Sequence, residues 1–440
     1  MPRKSARIEP RGSVLNDSDW YTLVEYSDQS VLTTLDAEER SRWDALVYIY
    51  RRLWFTRVWV IQEVGMASLA VVMCGESEIS WTELKDAAGC IDDRAQPFAI
   101  HFGIETEIQR CFDLYWIFSA AGSKQTFVET LYEAKSFLST NPKDKVYALL
   151  AHPSAQLPNG LTVELDYDRP MDDWYICLAA RILRSTHSLQ LLSAVQHSTE
   201  ESIFKTYMPS WVPQWSERPW SYMLWHTIRD KTYRTGADTL PEFDLTSDKT
   251  LLKAQGILFD YVTIPGGTIS TEDYSLRSEI STNPIQTLTE LLKTGGASSR
   301  AIYSSEEAWI RAHFMTLTAG VFMGGQRDFE SYQQWRTGSF GESPEITEGG
   351  AILFKTTAEV WSDKRKLYLT SKGYVGLGPS VLQKNDAVVV LFGCLVPFIL
   401  RQQGDEYRLV GETYVHGIMM GEAIEMLREQ ALHTQAFCLR

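Results

Sequence analysis

Residues 51–81, RRLWFTRVWVIQEVGMASLAVVMCGESEISW, join an amphipathic helix pattern to a short apolar strand pattern. The apolar residues recur at helical spacing as far as Gly65, and a glycine just past the last turn is typical of a helix end. The run from Ala67 to Cys74 is rich in valine and is bounded by Gly75, which predicts a buried strand. This stretch therefore predicts a helix followed by a strand, with a corner between them.

One helix face in this stretch carries the chain's concentrated functional candidate. Trp59 and Glu63 are four residues apart, so their side chains lie one above the other on a helix. A carboxylate beside an indole can act as an acid, a base or an anchor for a ligand, and it can equally be a wall residue bonded to nearby backbone. Arg57 belongs to a basic group with Arg51 and Arg52, which is either a solvated helix face or a local anion site.

Two acidic residues are predicted to mark the starts of helices. The helical pattern runs from Leu35 to Val64, with Asp36 as the N-cap and Glu39 in the capping-box position three residues later. Further along, Asp144 in the sequence NPKDKVYALL is predicted to cap a short helix and to pair with a neighbouring lysine or arginine. An ion pair of this kind gives Asp144 a structural role, with catalysis as the alternative.

The composition is that of a soluble globular protein with an acidic balance. The chain has 440 residues, of which 44% are hydrophobic and 22% charged, and its formal net charge is −14. This charge argues against broad binding to nucleic acid or to anionic membranes. The six cysteines form no CxxC pair, no apolar run is long enough to span a bilayer, and no signal peptide pattern opens the chain. We therefore expect a cytoplasmic protein with free thiols.

The texture of the sequence changes along the chain and predicts four regions. Residues 1–18 are predicted to be a flexible tail, and 19–150 an α/β domain. A helical, tryptophan-rich connection follows at 151–250, and 251–440 is predicted to be a β-rich module with inserted helices. Short strands at even spacing near the end indicate a small barrel or curled sheet. The fold class predicted for the whole chain is α+β.

Four aromatic and imidazole side chains in the later regions are further site candidates. Prolines fix the segment MPSWVPQWS, so Trp211 and Trp215 lie on one face if the segment is extended. Such a pair either seals a junction or stacks on a ligand, and packing is the more usual role of large aromatic residues. Tyr414 and His416 end a predicted strand, where the histidine is either a satisfied core residue or an inward-facing catalytic group.

Four stretches in order resemble fungal heterokaryon-incompatibility (HET) proteins. They are RRLWFTRVWVIQEV followed by VVMCGESEISWTEL, then NPKDKVYALL, then MPSWVPQWS, and finally residues 373–423 with GYVGLGP and YRLVGETYVHGIMMGEA. The opening strand of the HET domain, and its following segment with tryptophan and cysteine, have no counterpart in residues 1–50. The resemblance therefore implies a HET-family protein lacking the N-terminal part of that domain, with a partial α/β region before residue 150 and a barrel-like ending.

The same resemblance implies a possible role for the Trp59 and Glu63 pair. The HET domain resembles the Toll/interleukin-receptor (TIR) fold, whose NAD-cleaving members place a glutamate shortly after a tryptophan on a helix. In such an enzyme Glu63 would hold the ribose hydroxyls and stabilise an oxocarbenium-like state. The missing front part would supply the first loop of the nucleotide cleft, which favours a structural role for Glu63.

Three functional hypotheses follow. The first is self/non-self recognition or death signalling through protein contacts, which predicts an exposed apolar patch and no deep pocket. The second is a cofactor-free enzyme of fungal secondary metabolism that cyclises an apolar terpene or polyene in an aromatic pocket, by cycloaddition for example. The third is residual NAD cleavage at Glu63. For an enzyme, a cyclase is favoured over an NAD glycohydrolase.

The sequence contains no Walker, GxSxG or HExxH motif, so no cofactor or metal is expected. The partner is a small apolar substrate or a protein. If the chain is an enzyme, Glu63 and His416 are predicted to be catalytic, and the predicted binding residues are Arg57, Trp59, Trp211, Trp215 and Tyr414.

Overall fold

The structure of the chain is a computed structural model, and it describes much of residues 36–440. The described ranges are 36–94, 96–119, 125–156, 163–205, 207–218, 221–224, 233–274, 302–303, 305–321, 329–330, 332–333 and 354–440. The predicted tail at 1–18 lies outside them. None of the described helices combines the length and apolarity needed to cross a membrane.

Two compact units are distinguished within the described residues. The first contains residues 36–56 and Met66–Trp116, and the second contains Arg57–Gly65 and the chain from Ile117 to Arg440. The boundaries predicted after residues 150 and 250 divide the chain by sequence texture, and they stay predictions.

The first unit consists of helices and one β-hairpin. Its elements are α1 (Ala37–Tyr50), a 3₁₀ turn (Leu53–Thr56), β1 (Val71–Cys74), β2 (Ser77–Ser80), α3 (Trp81–Arg94), α4 (Gln96–Phe102) and the start of α5 (Glu105–Ser119). The capping box predicted at the start of α1 is confirmed, because Asp36 accepts from the backbone N–H of Glu39 and the Glu39 carboxylate accepts from the N–H of Asp36.

The single helix predicted from Leu35 to Val64 is wrong, because α1 ends at Tyr50 and a separate helix, α2, begins at Val58. The 3₁₀ turn between them places the ring of Phe55 5.9 Å from that of Tyr50, with Trp81 on its other side. Residues five apart lie on different faces of a continuous helix, so burying both rings in one cluster requires this break.

The buried strand predicted at Ala67–Cys74 is also wrong. The strand is β1, and within the described residues it pairs antiparallel with β2 alone, in the register Val72 opposite Ile79. Val72 and Ile79 are half-buried, whereas the other three residues of β1 are exposed. The apolar sequence correctly predicted a strand, but it did not predict that one face would remain uncovered.

The second unit contains the remaining helices. They are α2 (Val58–Gly65), α6 (Phe127–Glu133), α7 (Asp144–Tyr147), α8 (Met171–Thr186), α9 (Glu200–Ile203), α10 (Glu306–Leu317) and α11 (Glu422–Arg428). Gly65 is the last residue of α2, and the reason for a glycine there is space. A Cβ at this position would lie 2.1 Å from Cδ2 of Phe118, whose ring packs edge-on against His152.

Nine strands of the second unit form one sheet among the described residues. They are β3 (Phe243–Leu245), β4 (Leu252–Thr268), β5 (Arg365–Thr370), β6 (Val375–Pro379), β7 (Ala387–Leu391), β8 (Phe398–Gln403), β9 (Glu406–Glu412), β10 (Tyr414–Val415) and β11 (Thr434–Leu439). The long strand β4 pairs with both β11 and β7, which closes the ring β4–β11–β9–β8–β7. The predicted α+β class is confirmed.

The ring closes where Gly256 lies. This residue pairs with Leu391 of β7, and a Cβ on it would lie 2.4 Å from the carbonyl oxygen of Val390. Glycine inside a strand can mark a bulge, but the register shift on this edge falls between Leu258 and Asp260. The glycine instead permits two backbones to approach closely, which is the other common reason for glycine inside a strand.

Candidate functional site

The hairpin of the first unit exposes an apolar face. Leu69 is 80% exposed, Val71 51% and Met73 68%. Met73 pairs across the strands with Glu78, which is also exposed. We call Leu69, Val71, Met73 and Glu78 the hairpin surface. Because successive residues of a strand point to opposite faces, Val71 and Met73 lie on one side while Val72 is turned to the other.

The structure brings Trp59 and Glu63 together on α2, as predicted from their spacing. Trp59 is half-buried, whereas Glu63 is exposed. Arg57 is exposed just before the helix, and its backbone bridges that of Leu138. The helix is thus fixed through its N-terminal backbone and apolar face, and the catalytic or binding roles assigned to these three side chains stay predictions.

Tyr414 and His416 also lie together, on the segment that leaves β10. The Tyr414 hydroxyl is 3.3 Å from Nδ1 of His416, and the Tyr303 hydroxyl donates to the backbone carbonyl of His416 at 3.4 Å. Burial lowers the pKa of His416 to about 4, so the imidazole is neutral at pH 7. Tyr414 is fully buried. A neutral, half-buried imidazole beside a phenol can exchange protons, and its predicted catalytic role remains a prediction.

The tryptophan pair is part of the packed interior. Trp211 and Trp215 are among the largest fully buried side chains of the described residues. The indole nitrogen of Trp211 donates to the carbonyl of Thr250 at 3.4 Å, and the Lys135 ammonium lies 6.0 Å from the centre of the Trp215 ring. These contacts are those of packing residues, and the predicted ligand-binding role of the pair stays untested.

His197 is buried near this pair. Its Nδ1 is 3.0 Å from the Ser202 hydroxyl and its Nε2 is 3.2 Å from the carbonyl of Ser210. Burial lowers the pKa of His197 to about 4. Both ring nitrogens therefore have partners within the protein, which is the arrangement of a structural histidine.

The NPKDKVY motif is organised around a buried lysine. The Lys143 ammonium donates to the carbonyls of Asp166, Tyr167 and Arg169 at 2.7, 3.0 and 2.6 Å. The Tyr147 hydroxyl accepts from the Asp166 N–H at 2.8 Å. The motif thus holds the turn at 166–169 against α7 at four points.

The capping role predicted for Asp144 is wrong, because the N-cap of α7 is Lys143 and Asp144 is its first residue. The Asp144 carboxylate accepts from the hydroxyl of Tyr167 at 2.8 Å. The partner of Asp144 is thus the phenol of Tyr167, on the turn that Lys143 holds. The sequence predicted a neighbouring lysine or arginine instead.

A buried ion pair, which the sequence did not predict, joins the barrel to residues 221–224. Arg365 at the start of β5 lies 3.2 Å from the Glu412 carboxylate at the end of β9, and both are almost fully buried. Arg365 also donates to the carbonyl of Tyr222 at 2.6 Å, while Glu412 accepts from the N–H of Leu224. Burial raises the pKa of Glu412 to about 7, against the opposing effect of Arg365.

A family model, the Het-6 β-barrel domain, matches residues 351–433. One curated relative is heterokaryon incompatibility protein 6, OR allele, from Neurospora crassa, which is 24% identical over 454 residues. The alignment covers 84% of this chain and 64% of the relative, so the chain spans less than two thirds of that protein. No solved structure matches the chain.

The closed β-ring and the matched segment together define a protein that carries a Het-6 β-barrel domain. Strands β5–β10 and helix α11 lie inside the match, whereas β4 and β11, which complete the ring, lie outside it. Outside this domain, the similarity to heterokaryon incompatibility protein 6 extends over most of the chain. The resemblance expected from the four sequence stretches is thereby confirmed.

Proposed function

We propose that this chain acts in self/non-self recognition or death signalling through protein contacts, and that the hairpin surface makes one of them. The proposal takes its general class from the similarity to a heterokaryon incompatibility protein. It takes its location from one observation, which is the uncovered apolar face of β1.

Strand β1 is apolar on both faces but is covered on only one. Strands with this composition are normally buried on both faces, as in sheets covered by other layers. Scattered apolar side chains on a surface need no explanation, but Leu69, Val71 and Met73 are exposed at alternate positions of one short segment. Exposing these apolar side chains to water is unfavourable in free energy, and a partner protein that covers them would remove this cost.

The hairpin favours an extended partner segment with alternating apolar and basic side chains. Among the described residues β1 pairs with β2 only, so each strand offers an outer edge with unpaired backbone groups. The apolar face would contact the apolar residues of the partner. The exposed carboxylates of Glu76 and Glu78 would pair with its basic residues.

The test is expression of full-length variants in Neurospora crassa, with growth as the readout. We expect the wild-type chain to arrest growth and the double variant Val71→Lys/Met73→Lys to lose this effect at equal protein level. Met420→Lys is the matched control, because Met420 is 61% exposed in the other unit. Growth arrest that survives in the double variant would contradict the role of the hairpin, and a wild-type chain without effect on growth would contradict the function itself.

A second copy of this chain is the alternative occupant of the surface. Light scattering of the purified protein distinguishes the two: a dimer of the wild type that is absent from the double variant would assign the hairpin to self-association.

The enzymatic hypotheses gain no support from the described residues. The cyclase hypothesis predicts a closed aromatic cavity near Trp211, Trp215 and Tyr414 to His416, and both tryptophans are packed in the interior. NAD cleavage requires Glu63 to face a polar cleft, and Glu63 is exposed on α2.

A further inference from the structure

A cleft of about 380 Å³ lies beside α8 in the second unit. Its walls are α8, the turn that Lys143 holds, and the loop that carries Lys249. The lining residues are Val163, Glu164, Asp166, Arg169, Trp174, Cys177, Leu178, Ala180, Arg181, Arg184 and Lys249. This volume is within the range of small-molecule sites.

The charge of the cleft is opposite to that of the whole chain. Four basic and two acidic side chains line it, which gives a formal charge of +2 in a protein of net charge −14. Arg181 and Arg184 are three residues apart on α8, so they are neighbours on the helix surface. Basic groups gathered in a concave site raise the local concentration of anions.

The walls of the cleft are fixed on two sides. On one side, the three hydrogen bonds from Lys143 hold the backbone from which Asp166 and Arg169 project, and these two side chains pair at 3.3 Å. On the other, Lys249 has a left-handed backbone with φ of 61°. Its turn is maintained by the Asp248 carboxylate, which accepts hydrogen bonds from Thr246 and Thr250.

A left-handed conformation at a lysine is strained and persists only where the surrounding structure enforces it. Here its effect is to direct the Lys249 ammonium onto α8, where it donates to the thiol of Cys177 at 3.3 Å. A cation that is already oriented loses less entropy when it binds a ligand. The strained turn therefore prepares a positive group at the wall of the cleft.

From this arrangement we propose that the cleft is a binding site for a small, multiply charged anion bearing phosphate or several carboxylates. Arg184 of α8 presents a planar, forked donor that fits either group in two parallel hydrogen bonds. Lys249 supplies a point charge, and Trp174 and Leu178 supply an apolar surface for the body of the ligand.

Cys177 gives the proposal a direct readout, because its thiol lines the cleft. The wild-type protein is labelled with N-ethylmaleimide, a neutral reagent, and modification of each cysteine is followed by mass spectrometry with and without pyrophosphate or citrate. We expect 1 mM anion to slow labelling of Cys177 at least fivefold. Labelling of Cys74, which is exposed in the other unit, is expected to be unchanged.

Protection by pyrophosphate alone assigns the site to phosphates, and protection by citrate alone assigns it to carboxylates. Lys249→Gln and Arg184→Gln are each expected to raise the anion concentration needed for half-maximal protection at least tenfold. Lys384→Gln changes an exposed lysine outside the cleft and is expected to leave that concentration unchanged. Calorimetry with the same anions measures binding independently of the thiol. The proposal is overturned if neither anion protects Cys177 or binds, or if both cleft variants are protected as strongly as the wild type.

Discussion

At the scale of single residues, the buried Glu412 makes a prediction about pH. Its pKa is raised from 4.5 to about 7 because burial disfavours the charged carboxylate. The folded protein therefore holds this proton more tightly than the unfolded chain does. Its contribution to stability is complete below pH 4.5 and is lost as the pH rises through 7, by on the order of 3 kcal/mol in total.

Urea unfolding of the wild type and of Glu412→Gln between pH 5 and pH 8 measures this contribution. His197 and His416 act in the opposite direction, because burial lowers the pKa of each to about 4 and they stabilise the fold as the pH rises through this range. Both proteins contain these histidines, so the difference between the two unfolding free energies isolates Glu412. We expect the unfolding free energy of the wild type minus that of Glu412→Gln to fall with rising pH. A constant difference would show that Glu412 does not titrate in this range.

Also at this scale, sequence reasoning found residues whose role is local and missed those whose role depends on distant partners. The capping box of Asp36 and Glu39 spans three positions and was predicted in full. Arg365 and Glu412 are 47 positions apart and come together only when the barrel forms, so no spacing indicated them. The one available signal was a charged residue inside an apolar strand pattern.

At the scale of elements, the turn at 166–169 depends on one side chain. Lys143→Met keeps the length of the side chain but removes three hydrogen bonds and leaves three carbonyls without their donor. The loss of a buried charged donor of this kind costs about 3–5 kcal/mol. We expect a lower melting temperature and faster chymotryptic cleavage after Tyr167, which lies on this turn.

The control for this prediction is Lys384→Met, which changes an exposed lysine and should alter the free energy of unfolding by less than about 0.5 kcal/mol. If Lys143→Met melts like this control and resists chymotrypsin equally, the buried lysine does not hold the turn.

Prediction of whole elements succeeded where the local pattern is decisive. Strands β5 to β9 were expected from their apolar runs, whereas β11 was missed because its sequence, TQAFCL, forms no continuous apolar run and its antiparallel partner β4 lies far away in the chain. The hairpin shows the opposite failure. Its apolar sequence indicates burial, and only the three-dimensional structure shows that no described element covers Val71 and Met73.

At the scale of the whole molecule, the fold depends on closing the β-ring between strands 130 residues apart. Strand β4 supplies the closing edge from outside the segment that matches the Het-6 β-barrel domain. Once closed, the ring leaves fewer unpaired edges than an open sheet of the same strands. The long-range step that brings β4 to β7 is therefore expected to be slow in folding, since contacts between distant residues require costly loop closure.

Gly256→Ala tests this closure. The added Cβ would lie 2.4 Å from the Val390 carbonyl oxygen and 3.0 Å from the Cα of Leu391. Both are backbone atoms, so β7 must move away as a strand and the hydrogen bonds of the seam weaken together. We expect a loss on the order of 3 kcal/mol in the free energy of unfolding by urea, with a reduced near-ultraviolet circular dichroism signal from the barrel aromatics.

Gly404→Asn is the matched control. Gly404 lies in the β8–β9 turn with nothing within 4 Å of its added Cβ, and its left-handed φ is one that asparagine tolerates. A Gly256→Ala protein as stable as this control would mean that the β4–β7 seam is looser than the structure indicates and that the ring is not held closed there.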